Sequence, residues 1–339
     1  MKAAFITRFG PPEVLQIQEI PIPTPKDNEV LVKVKAIGLN FADVMARLGI
    51  YPSIPDPPFV PGIEFSGTVR SVGNNVRGIK KGERVWAFSK QGAYAEYVAV
   101  PADSIVPVPP KMSLEIAAAT GVTYLTAYHG LVTLANIKQK EKLLLHAAAG
   151  GVGIAAIQIA KHLGVEVFAT ASNREKLELA RTQGAHHTIN YSEDDFEEIV
   201  RKTTDGYGVD VVMDSVGGRV MKKSWKLLAP MGRYVLYGFA SVTGKTRLKR
   251  LKMLQEGLAV PFLYPPTLVS KNVGFFGFNL YFLTDRRKYL KSAISKILTW
   301  YEKGIIHPYI GARYSFDQIA EAQAFLQSRQ SVGKVVVTL

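Results

Sequence analysis

The stretch that most limits how this chain can fold is Leu143 to Leu163, LLLHAAAGGVGIAAIQIAKHL. An apolar run is followed by alanines, glycines and one valine, and then by apolar residues at helical spacing. Leu143 to His146 reads as a strand and Ile154 to Leu163 as a helix, so Ala148-x-Gly150-x-x-Gly153 falls in the turn between them. That is the dinucleotide fingerprint with alanine at its first glycine. Gly150 lets the backbone approach a pyrophosphate, Gly153 lets the helix lie close to the sheet, and the N–H groups of the helix start at Gly151 and Val152 face negative charge. A tight strand-to-helix turn with no ligand would show the same glycines.

The surroundings of this turn favour the first reading. Downstream, EVFAT is followed by NREKLELARTQG, HTIN by EDDFEEIVRKT, and then come VDVVMDSV and RYVLYGF. Apolar β-branched runs alternating with helical patterns predict βαβ units and a parallel sheet covered on both faces. Upstream, VLVKVKAIGL and ERVWAF sit between PIPTPKDNE, PSIPDPPFVPG and VPVPPK, the punctuation of many short strands. The fold class is therefore α/β, with a β-rich part before about residue 121 and a doubly wound part after it.

The cofactor follows from the end of the second strand. An NAD site usually places Asp or Glu there, about 20 residues beyond the glycines, to hold the ribose 2′-OH. This strand ends Phe168-Ala169-Thr170-Ala171 and continues Ser172-Asn173-Arg174-Glu175-Lys176. The hydroxyl, amide and cations of Ser172, Asn173, Arg174 and Lys176 suit a 2′-phosphate, which favours NADPH. Arg174 and Lys176 would also pass for ordinary helix-surface charge.

Composition narrows the chemistry further. The 339 residues contain no Cys, which removes disulfides, thiolate metal sites and cysteine nucleophiles. The formal charge is +14, mostly dispersed, with one dense basic run at GKTRLKRLK, Gly244 to Lys252. Such a run serves either an anionic surface or simply a solvated face. MKAAFITRFGPPEVL is too short in apolar residues for a signal segment or a membrane span, so a cytoplasmic location is expected. The apolar stretch Gly257 to Leu283 is interrupted by Lys271, Asn272 and Asn279 and is not a span either. It could line a lipophilic pocket, or form a buried sheet and dimer contact at Val273 to Phe278.

With HAAAGGVG, the NFAD of Asn40 to Asp43, Tyr51, and INY ending at Tyr191, the chain resembles the zinc-independent quinone oxidoreductase family of the medium-chain dehydrogenase/reductase superfamily. Its C-terminal half, with NVGFFGFNL and GIIHPYI, is more similar to the branch named for a synaptic vesicle membrane protein. The resemblance implies a GroES-like catalytic domain built from both chain ends, a Rossmann domain, an NADPH cleft and a homodimer. The boundaries expected are 1–121 for the first part of the catalytic domain, 122–280 for the Rossmann domain, and 281–339 for the return.

Zinc relatives carry a cysteine where this chain has Asn40, and a histidine where it has Ile63 in Pro61-Gly62-Ile63-Glu64. Zinc needs three protein ligands, so no metal site is expected. Without a Lewis acid, a carbonyl must be polarised by hydrogen-bond donors. The resemblance assigns that role to Asn40 and Tyr51, with Asp43 orienting one of them or the cofactor; a loop-packing Asn and a Tyr covering the cleft are the plainer alternatives. It also places Thr126, Tyr128, Tyr191, Ser215, Gly238, Phe239, Phe276, Gly277, Phe278 and Arg329 near the cofactor. For Thr126 and Tyr128 an amphipathic helix face explains the spacing equally well, and for Arg329 a salt bridge does.

Two function classes follow. One is an NADPH-dependent reductase of a small lipophilic quinone, enone or enal. The other is an NADPH-binding protein with little catalysis that uses its basic surface on membranes or nucleic acid. For both, VGFFGF is expected as the last strand, at a sheet edge that pairing with a second copy would cover.

Overall fold

The computed structural model describes residues 1–239 and 265–339. The basic run at 244–252 and the first part of the apolar stretch from Gly257 lie outside them. The chain divides into two compact units, Met1–Leu125 with Tyr281–Gly304 and Pro308–Leu339, and Thr126–Leu280 with Ile305–His307.

The first unit is mostly sheet. Strands β1 (Lys2–Ile6) and β2 (Leu15–Glu19) form a hairpin-like pair, while β3 (Glu29–Leu39), β4 (Glu64–Val72), β5 (Arg84–Phe88), β6 (Tyr97–Pro101) and β7 (Ile105–Pro107) build a larger sheet. In β3 the apolar Val32, Val34 and Ala36 are buried, and Lys33 and Lys35 between them are exposed, as strand alternation requires. Two late segments complete this sheet. Strand β15 (Lys334–Thr338) pairs antiparallel with β3, Val335 opposite Leu39 and Val337 opposite Ile37, and β14 (Ile310–Ser315) pairs parallel with β15. The core joins residues from both chain regions, among them Ile37, Phe65, Tyr94, Phe316, Val335 and Val337.

The second unit is a six-stranded parallel sheet. Its strands are β8 (Lys142–Leu145), β9 (Glu166–Ala171), β10 (His187–Asn190), β11 (Val209–Asp214), β12 (Leu228–Leu236) and β13 (Gly274–Gly277). Their order in space is β10-β9-β8-β11-β12-β13, all parallel. This is the doubly wound order, with its switch point between β8 and β11. Leu143, Leu144 and Leu145 are fully buried, each contributing roughly 1.5–3 kcal/mol, because strand β8 is covered on both faces. The third strand is the HTIN segment, His187–Asn190. His187 opens β10, stacks on Phe168 and contacts Glu166 Oε1 at 2.8 Å, and His186 Nδ1 accepts from Val167 N.

Strand β13 ends the order, with no further strand beside it among the described residues; Gly274, Phe275 and Phe276 are half-buried and Gly277 is exposed. No helix among the described residues is long and apolar enough to cross a membrane.

Candidate functional site

In the second unit the glycine turn leads from β8 into helix α3 (Gly151–His162 in the chain, numbered after α1, Phe41–Arg47, and α2, Leu114–Tyr128). Ala148 N donates to Thr170 O at 3.1 Å and His146 N to Met213 O, which fixes the turn between β9 and β11. A Cβ on Gly153 would lie 2.4 Å from Ala148 O and 2.5 Å from Ala147 O, so only glycine lets the helix start against its own turn. Gly150 is the N-cap in extended conformation, and a Cβ there would meet only Ala147 O, at 3.3 Å. The first intrahelical bond runs from Ile154 N to Gly150 O, which leaves the N–H groups of Gly151, Val152 and Gly153 at the helix start without carbonyl partners inside the helix. Below the turn, His146 bridges Thr170 Oγ1 at 2.9 Å and Ser224 Oγ at 2.7 Å, and burial pushes its pKa down.

The end of β9 gathers the expected donors. Asn173 caps helix α4 (Arg174–Gln183) by accepting from Lys176 N at 3.0 Å, so its side-chain oxygen is used internally. Arg174 is exposed in the first turn, and burial lowers the pKa of Lys176. Ser192 Oγ donates to Ser172 O, and Tyr191, half exposed, donates its N–H to Ala171 O. No acid stands at the strand end; Glu175 is already in the helix.

Other expected residues fall at the C-terminal ends of the remaining strands. Ser215 follows β11, and Gly238 packs so close that a Cβ would lie 3.0 Å from Ser215 O. Phe239 is exposed, Phe276 is opposite Val235 in the β12–β13 ladder, and Gly277 ends β13. Phe278 N donates to Leu236 O, and its ring contacts His129 and Tyr237. Thr126 is buried and Tyr128 partly buried at the end of α2. Arg329 belongs to the first unit, where it has a left-handed φ of 62° just beyond the helix Ile319–Gln327.

The first unit holds a second constellation, made of side chains. Asn40 is the N-cap of α1, between β3 and that helix. Its Nδ2 donates to Gly38 O at 3.0 Å and to Glu64 Oε1 at 2.9 Å, and its Oδ1 accepts from Lys334 Nζ at 2.7 Å. Glu64, fully buried, also receives Val122 N at 2.9 Å and Trp86 Nε1 at 3.3 Å, and forms an ion pair with Lys334. Both amide hydrogens of Asn40 therefore point into this cluster. Asp43, also buried, accepts on Oδ2 from Asn40 N at 2.9 Å and from Tyr94 OH at 3.1 Å, and burial pushes its pKa up to about 7. Asp43 and Tyr51 line one cleft with Ala42, Ile63, Lys90 and Tyr281, the two tyrosine rings meeting edge to face at 5.6 Å.

Lys334, Trp86, Tyr94 and Gln323 were not found by sequence reasoning. One signal was present for Lys334, a lysine at the head of the otherwise apolar KVVVT. Nothing local marks Tyr94 or Gln323, whose partners lie 51 and 229 residues away.

NADPH fits the second unit, where small residues clear the turn and cations collect at the end of β9. Zinc does not fit the first. Asn40 spends its amide on Gly38 O and Glu64, Ile63 offers no donor atom, and the carboxylate of Glu64 is already engaged by an ammonium. Among the described residues no three His, Cys, Asp or Glu gather to hold an ion.

The alcohol dehydrogenase GroES-like domain family matches residues 26–110, and the zinc-binding dehydrogenase family matches residues 151–294. The synaptic vesicle membrane protein VAT-1 homolog of Danio rerio is 34% identical over 339 residues, 99% of this chain and 70% of that protein. The human quinone oxidoreductase is 30% identical over 342 residues, 100% of this chain and 98% of that protein. Among solved structures, the Escherichia coli quinone oxidoreductase complexed with NADPH is 32% identical, with a TM-score of 0.89 and 100% of both chains covered. On fold, motifs and these likenesses, the chain belongs to the medium-chain dehydrogenase/reductase superfamily, in the branch of the quinone oxidoreductases and VAT-1 homologs.

Proposed function

We infer that the protein is an NADPH-dependent oxidoreductase that passes hydride to a quinone or a similar conjugated carbonyl, without zinc. The observation that carries this reading is the pairing of the glycine turn at Ala148 to Gly153 with a β9 end that offers Ser172, Arg174 and Lys176 and no acid. NADPH supplies the hydride when bound. Gly150 to Gly153 hold its pyrophosphate, Arg174 and Lys176 its 2′-phosphate, and the cleft of Tyr51 and Asp43 receives the acceptor. A quinone accepts hydride readily, which suits a site whose polarisers are hydrogen-bond donors and not a metal.

The test is cofactor preference together with turnover. Replacing Arg174 and Lys176 by Ala should weaken NADPH binding about 30-fold, equivalent to about 2 kcal/mol at roughly 1 kcal/mol per lost charge contact, and leave NADH nearly unchanged. Equal losses for both cofactors count against the phosphate role. Prolonged chelation should leave activity intact, and one tightly held zinc per chain would overturn the metal-free reading.

A second reading, an NADPH-binding protein with little catalysis that works at membranes or nucleic acid, is favoured by the +14 charge and by the likeness to VAT-1 homologs. Tight NADPH binding without turnover of any quinone, enone or enal would support it. In either case β13 has no strand on its outer side among the described residues. Pairing it across a two-fold axis would join two sheets in a homodimer, and wild-type protein sedimenting as a monomer at micromolar concentration would rule that out.

A further inference from the structure

Among the described residues, two buried side-chain oxygens have no hydrogen-bond partner, Asp43 Oδ1 and Ser89 Oγ. Both belong to the same corner of the first unit. Asp43 lines the cleft with Tyr51 and Ile63; Ser89 N donates to Ile63 O at 2.8 Å, and Lys90, the next residue, lines the cleft too. A buried polar atom left without a partner costs about 1–3 kcal/mol by general experience, so two in one corner point to a group they await.

The network behind Asp43 fixes which oxygen carries its proton. Arg47 Nε can only donate, and it does so to Gln323 Oε1 at 2.6 Å. That orients the amide, whose Nε2 donates to Tyr94 OH at 3.2 Å. The tyrosine's own hydrogen is then directed at Asp43 Oδ2, which also receives Asn40 N. With two donors on Oδ2, a neutral Asp43 holds its proton on Oδ1, the oxygen no protein group meets.

We propose that Asp43 is the acid of this cleft, donating the Oδ1 proton to the oxygen of a bound quinone-type acceptor as hydride reduces it. This rests on the reductase reading above. Hydride addition leaves the acceptor as an oxyanion; the Asp43 O–H bond breaks, a new O–H bond forms on the acceptor, and the carboxylate regains a proton from water. The sum is one NADPH, one proton and one quinone giving NADP⁺ and hydroquinone. Burial bears most on Asp43 and keeps the acid protonated to about pH 7; it outweighs the Asn40 N–H, Lys334 and Tyr94, which favour the anion, while Glu64 opposes it. Arg47 acts through Gln323 and Tyr94, and Lys90 faces the same cleft.

The experiment measures kcat and KM for 1,4-naphthoquinone from pH 6 to 9 in wild type and Asp43→Asn, with NADPH binding followed separately by fluorescence. Asparagine keeps an acceptor for Asn40 N and Tyr94 but has no proton to give. The expected result is a wild-type kcat that falls about tenfold per pH unit above about 7, and a variant with kcat about 100-fold lower at pH 6, no such limb, and KM and NADPH affinity within threefold. A quinone whose hydroquinone is strongly acidic, tetrachloro-1,4-benzoquinone, should show a smaller difference, because its oxyanion needs the proton less. A variant that retains the wild-type rate and pH profile overturns the assignment and leaves the reductase reading standing. Wild-type protein that binds NADPH and reduces no quinone overturns both. If the variant does not fold, the wild type decides alone: a kcat flat from pH 6 to 9 overturns the role of Asp43.

Discussion

The glycine turn of the second unit and the Asn40–Glu64–Lys334 cluster of the first solve the same problem, presenting polarity inside a packed protein, by opposite means. The turn uses backbone N–H groups supplied by neighbours in sequence, and its side chains are small so that nothing stands in the way. The cluster uses side chains brought from residues 24, 270 and 294 positions apart, each satisfying another. A backbone site is fixed as soon as its strand and helix pack. A side-chain site depends on every contributor, and loss of one leaves another charged and buried.

The sharpest way to test this contrast is Lys334→Met. It leaves Glu64 buried with no countercharge and should destabilise the first unit by about 3–5 kcal/mol, read as a lower melting temperature. The double variant with Glu64→Gln should recover much of that loss. If the single and double variants melt alike, the ion pair is not what the cluster depends on.

The second unit should respond to volume and not to charge. Gly153→Ala brings a methyl group to 2.4 Å from Ala148 O, and should cost roughly 3 kcal/mol of second-unit stability and weaken NADPH by at least about tenfold. Calorimetry and fluorescence titration measure the two effects. Unchanged binding would show that the helix start can shift without harm, and the contrast drawn above would fail.

The smallest effect is a pH dependence confined to the first unit. Folded Asp43 keeps its proton to about pH 7, whereas an unfolded carboxyl releases it near 3.8. The native state therefore binds more protons between those values. Stability from this group is fully present below about pH 4 and declines as pH rises toward 7. Asparagine does not titrate, so Asp43→Asn should gain on wild type by about 2 kcal/mol between pH 4 and 6, followed as the difference in chemical-denaturation midpoints. A difference that stays constant with pH would mean that Asp43 is not the buried acid described.

The same contrast explains what could be read in advance. The parallel sheet, its glycine turn and the donors after β9 are local patterns: LLLHAAAGGVG names a strand, a turn and a helix start within a few residues. Asn40, Asp43 and Tyr51 were found through family likeness, and their environment was not. That Asn40 receives Lys334 on its amide oxygen depends on β15 lying beside β3, a long-range pairing that no window of sequence contains. Nor does DVMAR announce that Arg47 is fully buried and polarises Tyr94 through Gln323, because an arginine in a helix is ordinarily a surface residue.

Strand β15 has a further consequence, in time. A ribosome adding about 5–20 residues per second places roughly 15 to 50 s between Glu64 and its partner Lys334, 270 residues later. Over that interval the second unit up to Leu280 is made, with every strand of its sheet, and only Ile305–His307 join that unit from beyond that point. The nucleotide turn can thus form while β3 still has an open edge and Glu64 has no cation. A nascent chain halted there would hold one finished sheet and one exposed β edge, and the late arrival of KVVVT both closes that edge and neutralises the carboxylate behind it.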